Sequence, residues 1–277
     1  MALSSLAKKL FRTLARIIPQ CGMASQAVAF NMFLAFFPTL LFGLGLLSRS
    51  LRGENGADIA AQLSAILPPG SWQLVSDFLL KQEVDPLHWT IFGAVGALLV
   101  GSQVIKLTME GISLIYRDPR RHSFLGRQLR GLLLFSVTIV VWIASVALSV
   151  FGGLLTEWAT HGVGPSPLVR GLLKVTFAIA AIVLSLFVLV LIYRVARPGS
   201  ATWSSSLPGA VMASILWSGI NLLFGAYVKR IQYGPVYGGL AAAIGLMVWM
   251  EFSAMIIFFG AAWNAEGAAR DAAESSF

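Results

Sequence analysis

Six stretches of the chain carry no formal charge: Ile17–Ser48, Pro86–Ile105, Gly131–Thr156, Val175–Tyr193, Pro198–Val228 and Ile231–Met250. Each is apolar on all sides rather than along one stripe. A helix needs about 20 mostly apolar residues to cross a bilayer, and each stretch reaches or exceeds that length. A membrane barrel would alternate apolar and polar residues along its strands, and these stretches do not. Helices then remain as the way to satisfy the backbone in lipid. The pattern predicts an all-α polytopic membrane protein with six spans, at about 23–47, 88–114, 131–155, 171–193, 207–227 and 238–262. Residues 1–22 precede this domain and a polar tail, 263–277, follows it.

Composition agrees. Of 277 residues, 57% are hydrophobic and only 12% are charged, and the mean hydropathy is +0.79. A soluble chain carries about 25% charged residues. The pI of about 10.1 could point to nucleic acid, but loop arginines that set membrane topology account for it. The single cysteine, Cys21, rules out an intrachain disulfide or a zinc-thiolate cluster. The apolar run at 23–47 is too long for the core of a cleavable signal.

Lysine and arginine counts set the orientation. Twelve lie on one side of the six spans: Lys8, Lys9, Arg12 and Arg16; Arg117, Arg120, Arg121, Arg127 and Arg130; Arg194 and Arg197; Arg270. Seven lie on the other: Arg49, Arg52, Lys81, Arg170, Lys174, Lys229 and Arg230. The positive-inside rule places both termini in the cytoplasm. In residues 3–18, Leu3, Leu6, Leu10, Leu14 and Ile17 recur at helical spacing opposite the basic residues. This reads as a short amphipathic helix at the anionic leaflet, or as a plain topology anchor. The loop from Ser48 to Leu87 is broken by Pro68-Pro69-Gly70. Its two halves read as short amphipathic helices on the outer face, the second capped by Ser71.

Polar residues inside the spans carry the candidate chemistry. A charge at the bilayer centre costs about 2.5–3.5 kcal/mol on insertion scales, so such residues usually face protein or a wet cavity. Gln103, Lys106, Glu110 and Ser113 fall on one stripe of the second span. Lys106 and Glu110 are four residues apart and can pair, and Arg117 lies about two turns beyond Glu110. Glu251 is thirteen residues into the last span, near the midplane, on a bulky face with Leu240, Ile244, Met247, Met255 and Phe258. The opposite face carries Gly238, Ala241, Ala242 and Gly245, which favour close helix packing. Asn31, among small residues on the first span, and Asn221 on the fifth read as packing groups, Asn31 through an interhelical hydrogen bond. Pro38 should kink the first span. Gln103, Lys106, Glu110 and Glu251 are either a substrate or proton site or an ion-pair network that ties helices together.

Three stretches carry a family resemblance. "AVAFNMFLAFFPTLLFGLGLL" resembles the first span of the YihY/virulence factor BrkB family. "LIYRVARPGSATWSSSLPGAVMASILW" is similar to its tyrosine-arginine, tryptophan and proline-glycine signature. "YGPVYGGLAAAIGLMVWMEFSAMIIFFGAAWNAE" resembles its closing signature. The signature positions are Tyr193, Arg194, Trp203, Pro208, Gly209, Tyr237, Gly238, Trp249, Gly260, Asn264 and Glu266; Glu251 matches none of them. The resemblance implies a six-helix bacterial inner-membrane protein. Some members of that family carry the older description ribonuclease BN. Others are linked to serum resistance and to envelope lipid or lipopolysaccharide handling.

The residues themselves argue against an enzyme. Metal-dependent RNA cleavage needs clustered ligands. His88 and His161 fall outside and His122 inside, while the cytoplasmic carboxylates are few: Asp118, Glu266, Asp271 and Glu274. No Ser-His or Cys-His constellation, phosphate-binding glycine loop or metal-ligand spacing occurs, so no cofactor or metal is expected. The expected partners are membrane lipids, with anionic headgroups at the cytoplasmic face, and not nucleic acid. Three functions fit: a translocator of an amphipathic envelope component such as a phospholipid or lipopolysaccharide precursor, an ion- or proton-coupled small-solute transporter, and a non-transporting envelope scaffold. Neutralising Lys106 while Glu110 and Glu251 remain should harm folding or function more than any loop arginine change. Lys106→Met matching wild type in detergent melts and in function would refute this.

Overall fold

In a computed structural model, residues 2–51, 86–117, 124–159, 167–197, 202–230 and 238–274 are described. They form six helices: α1 (Ala2–Leu51), α2 (Pro86–Ile115), α3 (Phe124–Ala159), α4 (Pro167–Ala196), α5 (Trp203–Arg230) and α6 (Gly238–Glu274). Among the described residues there is no strand. Among the described residues, four segments are long and apolar enough to cross a bilayer: Cys21–Gly43, Leu87–Ile115, Trp203–Tyr227 and Ala243–Ala269. A shorter apolar segment, Ile182–Ala196, lies in α4.

The helices overrun the apolar stretches. The amphipathic stretch at 3–18 is not a separate element: it continues into the first span as one helix, α1, which runs through Pro19 and Pro38. The tail after 262 likewise extends α6 to Glu274. The two amphipathic helices expected between Ser48 and Leu87 fall almost wholly on 52–85, outside the described residues, as do Asp118, Arg120, Arg121, His122, His161 and Tyr237. Helix α2 ends where Arg117 takes a left-handed φ of 51°, just before the Asp118-Pro119 pair.

The chain divides into two compact units, residues 34–101 and residues 1–33 with 102–277. In the smaller unit, Gly93 of α2 lies on the α1 backbone. A Cβ there would come within 2.9 Å of the Pro38 carbonyl oxygen, closer than real Cβ contacts. In the larger unit α5 packs most extensively on α6, followed by α3 on α4 and α4 on α5. Its core joins Cys21 and Val28 of α1, Ile112 of α2 and Leu134 of α3 to Tyr193, Phe258 and Phe259.

Side chains sort as lipid solvation demands. Large apolar groups such as Phe92, Leu133, Ile215 and Leu222 lie exposed on the helix surfaces. In water such an array would be an interaction or aggregation surface; in a bilayer it is the solvated face. The interior holds many small residues: Ala210, Ala213, Ala254, Ala261, Ser25, Ser102, Ser206 and Ser253 are all buried. Lipid tails are as apolar as leucine, so helices associate through close contact and hydrogen bonds. Hydroxyls on these helices mostly bond within their own helix: Thr108 Oγ1 donates to the Val104 carbonyl at 2.8 Å, Thr138 Oγ1 to Leu134 at 2.8 Å and Ser218 Oγ to Ser214 at 2.9 Å.

Gly209 and Gly260 are the closest approach of α5 and α6. A Cβ on Gly209 would strike the Gly260 carbonyl oxygen and lie 2.6 Å from the Asn264 amide carbon; one on Gly260 would lie 2.6 Å from the Gly209 oxygen. Gly209→Ala should therefore force the helices apart, costing about 1–3 kcal/mol. Gly225→Ala, which meets nothing within 4 Å, should be neutral or mildly stabilising, since a helical glycine costs about 1 kcal/mol against alanine. Thermal melts in one detergent check the contrast.

Candidate functional site

The polar stripe of α2 does not form a closed set. Glu110 Oε1 accepts from Arg127 Nη1 of α3 at 3.2 Å. The ion pair seen here joins Glu110 to an arginine of the next helix, beside the pairing with Lys106 that the sequence allows. Both partners are about 40% exposed, which places the pair at the edge of the unit. Lys106 and Gln103 are half-buried, and the Lys106 Cβ packs beside Gly131 of α3. Ser113 Oγ donates to the Glu110 backbone carbonyl at 2.8 Å.

The two asparagines divide. Asn221 Oδ1 accepts from Trp249 Nε1 at 2.8 Å, tying α5 to α6. Asn31 does not reach across: its Nδ2 donates to the Ala27 carbonyl of α1 at 2.9 Å. Its short amide finds the carbonyl one turn back before it finds a neighbouring helix.

Four of the signature residues, Tyr193, Gly209, Gly260 and Asn264, meet where α4, α5 and α6 join. Pro208 has no N–H, so Ser204 loses its helical donor. Beside that gap, the Gly209 N–H donates to Asn264 Oδ1 at 2.7 Å, while Asn264 Nδ2 donates to the Ser206 carbonyl at 3.0 Å. Asn264 is buried, so its amide braces the α5 backbone from α6. Tyr193, also buried, donates its hydroxyl to the Ile257 carbonyl at 2.8 Å. At the edge, the Arg194 guanidinium lies 4.6 Å from the Trp203 ring centroid, and that ring stacks on Phe187. Arg197 Nη1 donates to Ser205 Oγ at 3.0 Å and its guanidinium lies 5.4 Å from the Tyr116 ring. Burial raises the Tyr116 phenol above the ordinary tyrosine value and the charge of Arg197 opposes this. Glu266 is half-buried near the end of α6.

Among the described residues, two of the hollows of the larger unit bear on function. One, of about 240 Å³, is bounded by Met32, Val188, Trp217, Trp249, Ser253 and Ile257 among others. Its indole N–H groups are engaged, Trp249 with Asn221 and Trp217 with Ser253 Oγ at 3.1 Å, so apolar ring surface is what the hollow offers. The other is a groove of about 770 Å³ along α5 and α6. Ile215, Leu223, Val248, Phe252 and Met255 line it, with Glu251 as its one ionisable side chain. Among the described residues Glu251 has no hydrogen-bond or ion-pair partner. Gln103, Lys106 and Glu110 do not line this groove. Among the described residues, no three His, Cys, Asp or Glu side chains cluster as metal ligands would, and no catalytic constellation is evident.

These features define a multi-pass helical membrane protein. The chain belongs to the virulence factor BrkB family, whose sequence profile matches residues 19–277. It is 25% identical over 245 residues to a ribonuclease-like protein, YfkH, of Bacillus subtilis (strain 168), a match covering 87% of this chain and 88% of that one. It is also 25% identical over 243 residues to a UPF0761 membrane protein of Xanthomonas oryzae pv. oryzae (strain PXO99A). A UPF0761 membrane protein of Xanthomonas axonopodis pv. citri (strain 306) matches at the same identity. The chain spans about 55% of the length of the Xanthomonas oryzae relative. No solved structure matches it.

The geometry separates joints from open sites. Tyr193→Phe and Asn264→Leu should each lower stability by about 0.5–1.5 kcal/mol, because each removes buried hydrogen bonding between helices. Glu251→Gln should melt as wild type does, having no ionic partner to lose. Detergent melts of the three variants side by side test this.

Proposed function

We propose that the protein moves an amphipathic envelope component, a phospholipid or lipopolysaccharide precursor, between the leaflets of the bacterial inner membrane. In this reading all six helices span the bilayer and both termini are cytoplasmic, as the lysine and arginine bias favours. The arginines at the cytoplasmic ends of the helices would then meet anionic headgroups. The observation that carries the reading is the Glu251 groove. It offers an apolar surface that accepts chains, a polar foothold within the span, and a border of exposed apolar residues such as Ile215, Leu223 and Phe252. A closed polar cavity at mid-depth would instead have favoured a solute transporter.

A scaffold is the second reading, and one observation favours it: Tyr193, Gly209, Gly260 and Asn264 serve packing between helices. Transport separates the two. Proteoliposomes would carry phosphatidylethanolamine with a fluorophore on its acyl chain, reduced from outside. Wild type should bring the inner pool to the reductant faster than empty liposomes, and Glu251→Gln, equally well folded, should lose most of that rate. Wild type at the empty-liposome rate would refute translocation and leave the scaffold.

A further inference from the structure

We propose that the Glu251 groove is a binding site for an ammonium-bearing amphiphile, with the Glu251 carboxylate holding the ammonium group. The inference deepens the translocator reading and rests on it for the lipid nature of the ligand.

An unpaired carboxylate in a span calls for a partner of opposite charge. Such a group is expensive in a membrane unless something compensates it. Nothing among the described residues does so for Glu251, so the compensating charge is left to a ligand. A bare metal cation fits poorly. Calcium takes about six or more oxygen ligands, and the other lining residues, such as Leu216, Ile220, Val248 and Met255, supply hydrocarbon. A headgroup with an anionic phosphate and no ammonium fits worse still, because nothing it carries could meet the carboxylate and no cation lines the groove. A primary ammonium attached to acyl chains satisfies both parts of the surface. Its N–H groups give charge-assisted hydrogen bonds to the carboxylate, and its chains cover the apolar walls. Phe252 and Phe259 also line the groove, and aromatic faces attract cations. The volume, about 770 Å³, lies within the ordinary range for ligand sites of roughly 300–1,000 Å³.

The position fits a ligand in transit. Glu251 lies thirteen residues along α6 from Gly238, or about 20 Å at 1.5 Å per residue. It sits within the apolar segment Ala243–Ala269, away from either helix end. A headgroup held there has left the interface.

The test measures binding, so that it is independent of transport. The full chain, purified in detergent, would be mixed with equal amounts of phosphatidylethanolamine and its N-acetylated form, which has the same chains and no ammonium. Bound lipid would be counted by native mass spectrometry. A charge-assisted hydrogen bond is worth about 1.5–3 kcal/mol, so wild type should retain the ammonium form about tenfold or more over the acetylated one. In Glu251→Gln the two should bind equally. Equal retention by wild type, which needs no variant to fold, would overturn the proposal, as would a preference that survives Glu251→Gln. Preference without transport in proteoliposomes keeps the site and removes the translocator; transport without preference does the reverse.

Discussion

The brace between Asn264 and the α5 backbone holds together the part of the protein on which everything else rests. Proline at 208 removes a donor from the α5 ladder, and glycines at 209 and 260 let α6 come close enough to respond. One amide then supplies an acceptor to the Gly209 N–H and a donor to the Ser206 carbonyl. The same approach brings the Tyr193 hydroxyl onto the α6 backbone at Ile257. In lipid no water is available to serve backbone groups, so the asparagine amide braces the α5 backbone just beyond the proline. The α5–α6 contact fixed there continues along both helices, where Trp249 donates to Asn221 and the groove lined by Glu251 opens.

That arrangement gives the polar residues two distinct trades. Near one end of the helices, charge and aromatic groups pair off: Glu110 with Arg127, Arg194 with Trp203, Arg197 with Tyr116 and Ser205. These contacts fasten helices at a rim. Within the apolar stretch of α6, Glu251 stands apart from them. The contrast is what makes Glu251 a candidate for chemistry and the rim a candidate for architecture.

Much of this was legible in the sequence. Charge-free stretches of spanning length left only helices, and six helices are present. The residues between the helices obscured the ends: apolar content marks where lipid lies, whereas a helix continues wherever its backbone bonds do, which is why α1 and α6 run on through polar segments. Helical periodicity placed Gln103, Lys106, Glu110 and Ser113 on one stripe. It could not say which neighbour that stripe meets, and so missed Arg127, seventeen residues away on another helix. Asn264 lay in the tail rather than in a span when hydropathy alone was read, and only the family signature pointed to it. Its role depends on a contact 55 residues distant in sequence, and local pattern carries no trace of such a contact. Glu251 stood out because an ionisable group inside an apolar run is unusual in itself.

The hydroxyls that bond to their own helices have a further consequence. Thr108, Thr138 and Ser218 each spend their polarity on a carbonyl one turn back, and the buried Thr108 then presents its surroundings with little more than a small methyl-sized bump. An alanine would present much the same surface. At such positions serine, threonine and alanine can replace one another over evolutionary time without a compensating change on the facing helix. The bundle can therefore drift far in sequence while its helices keep their spacing, so long as the proline, the two glycines and the asparagine change together or not at all.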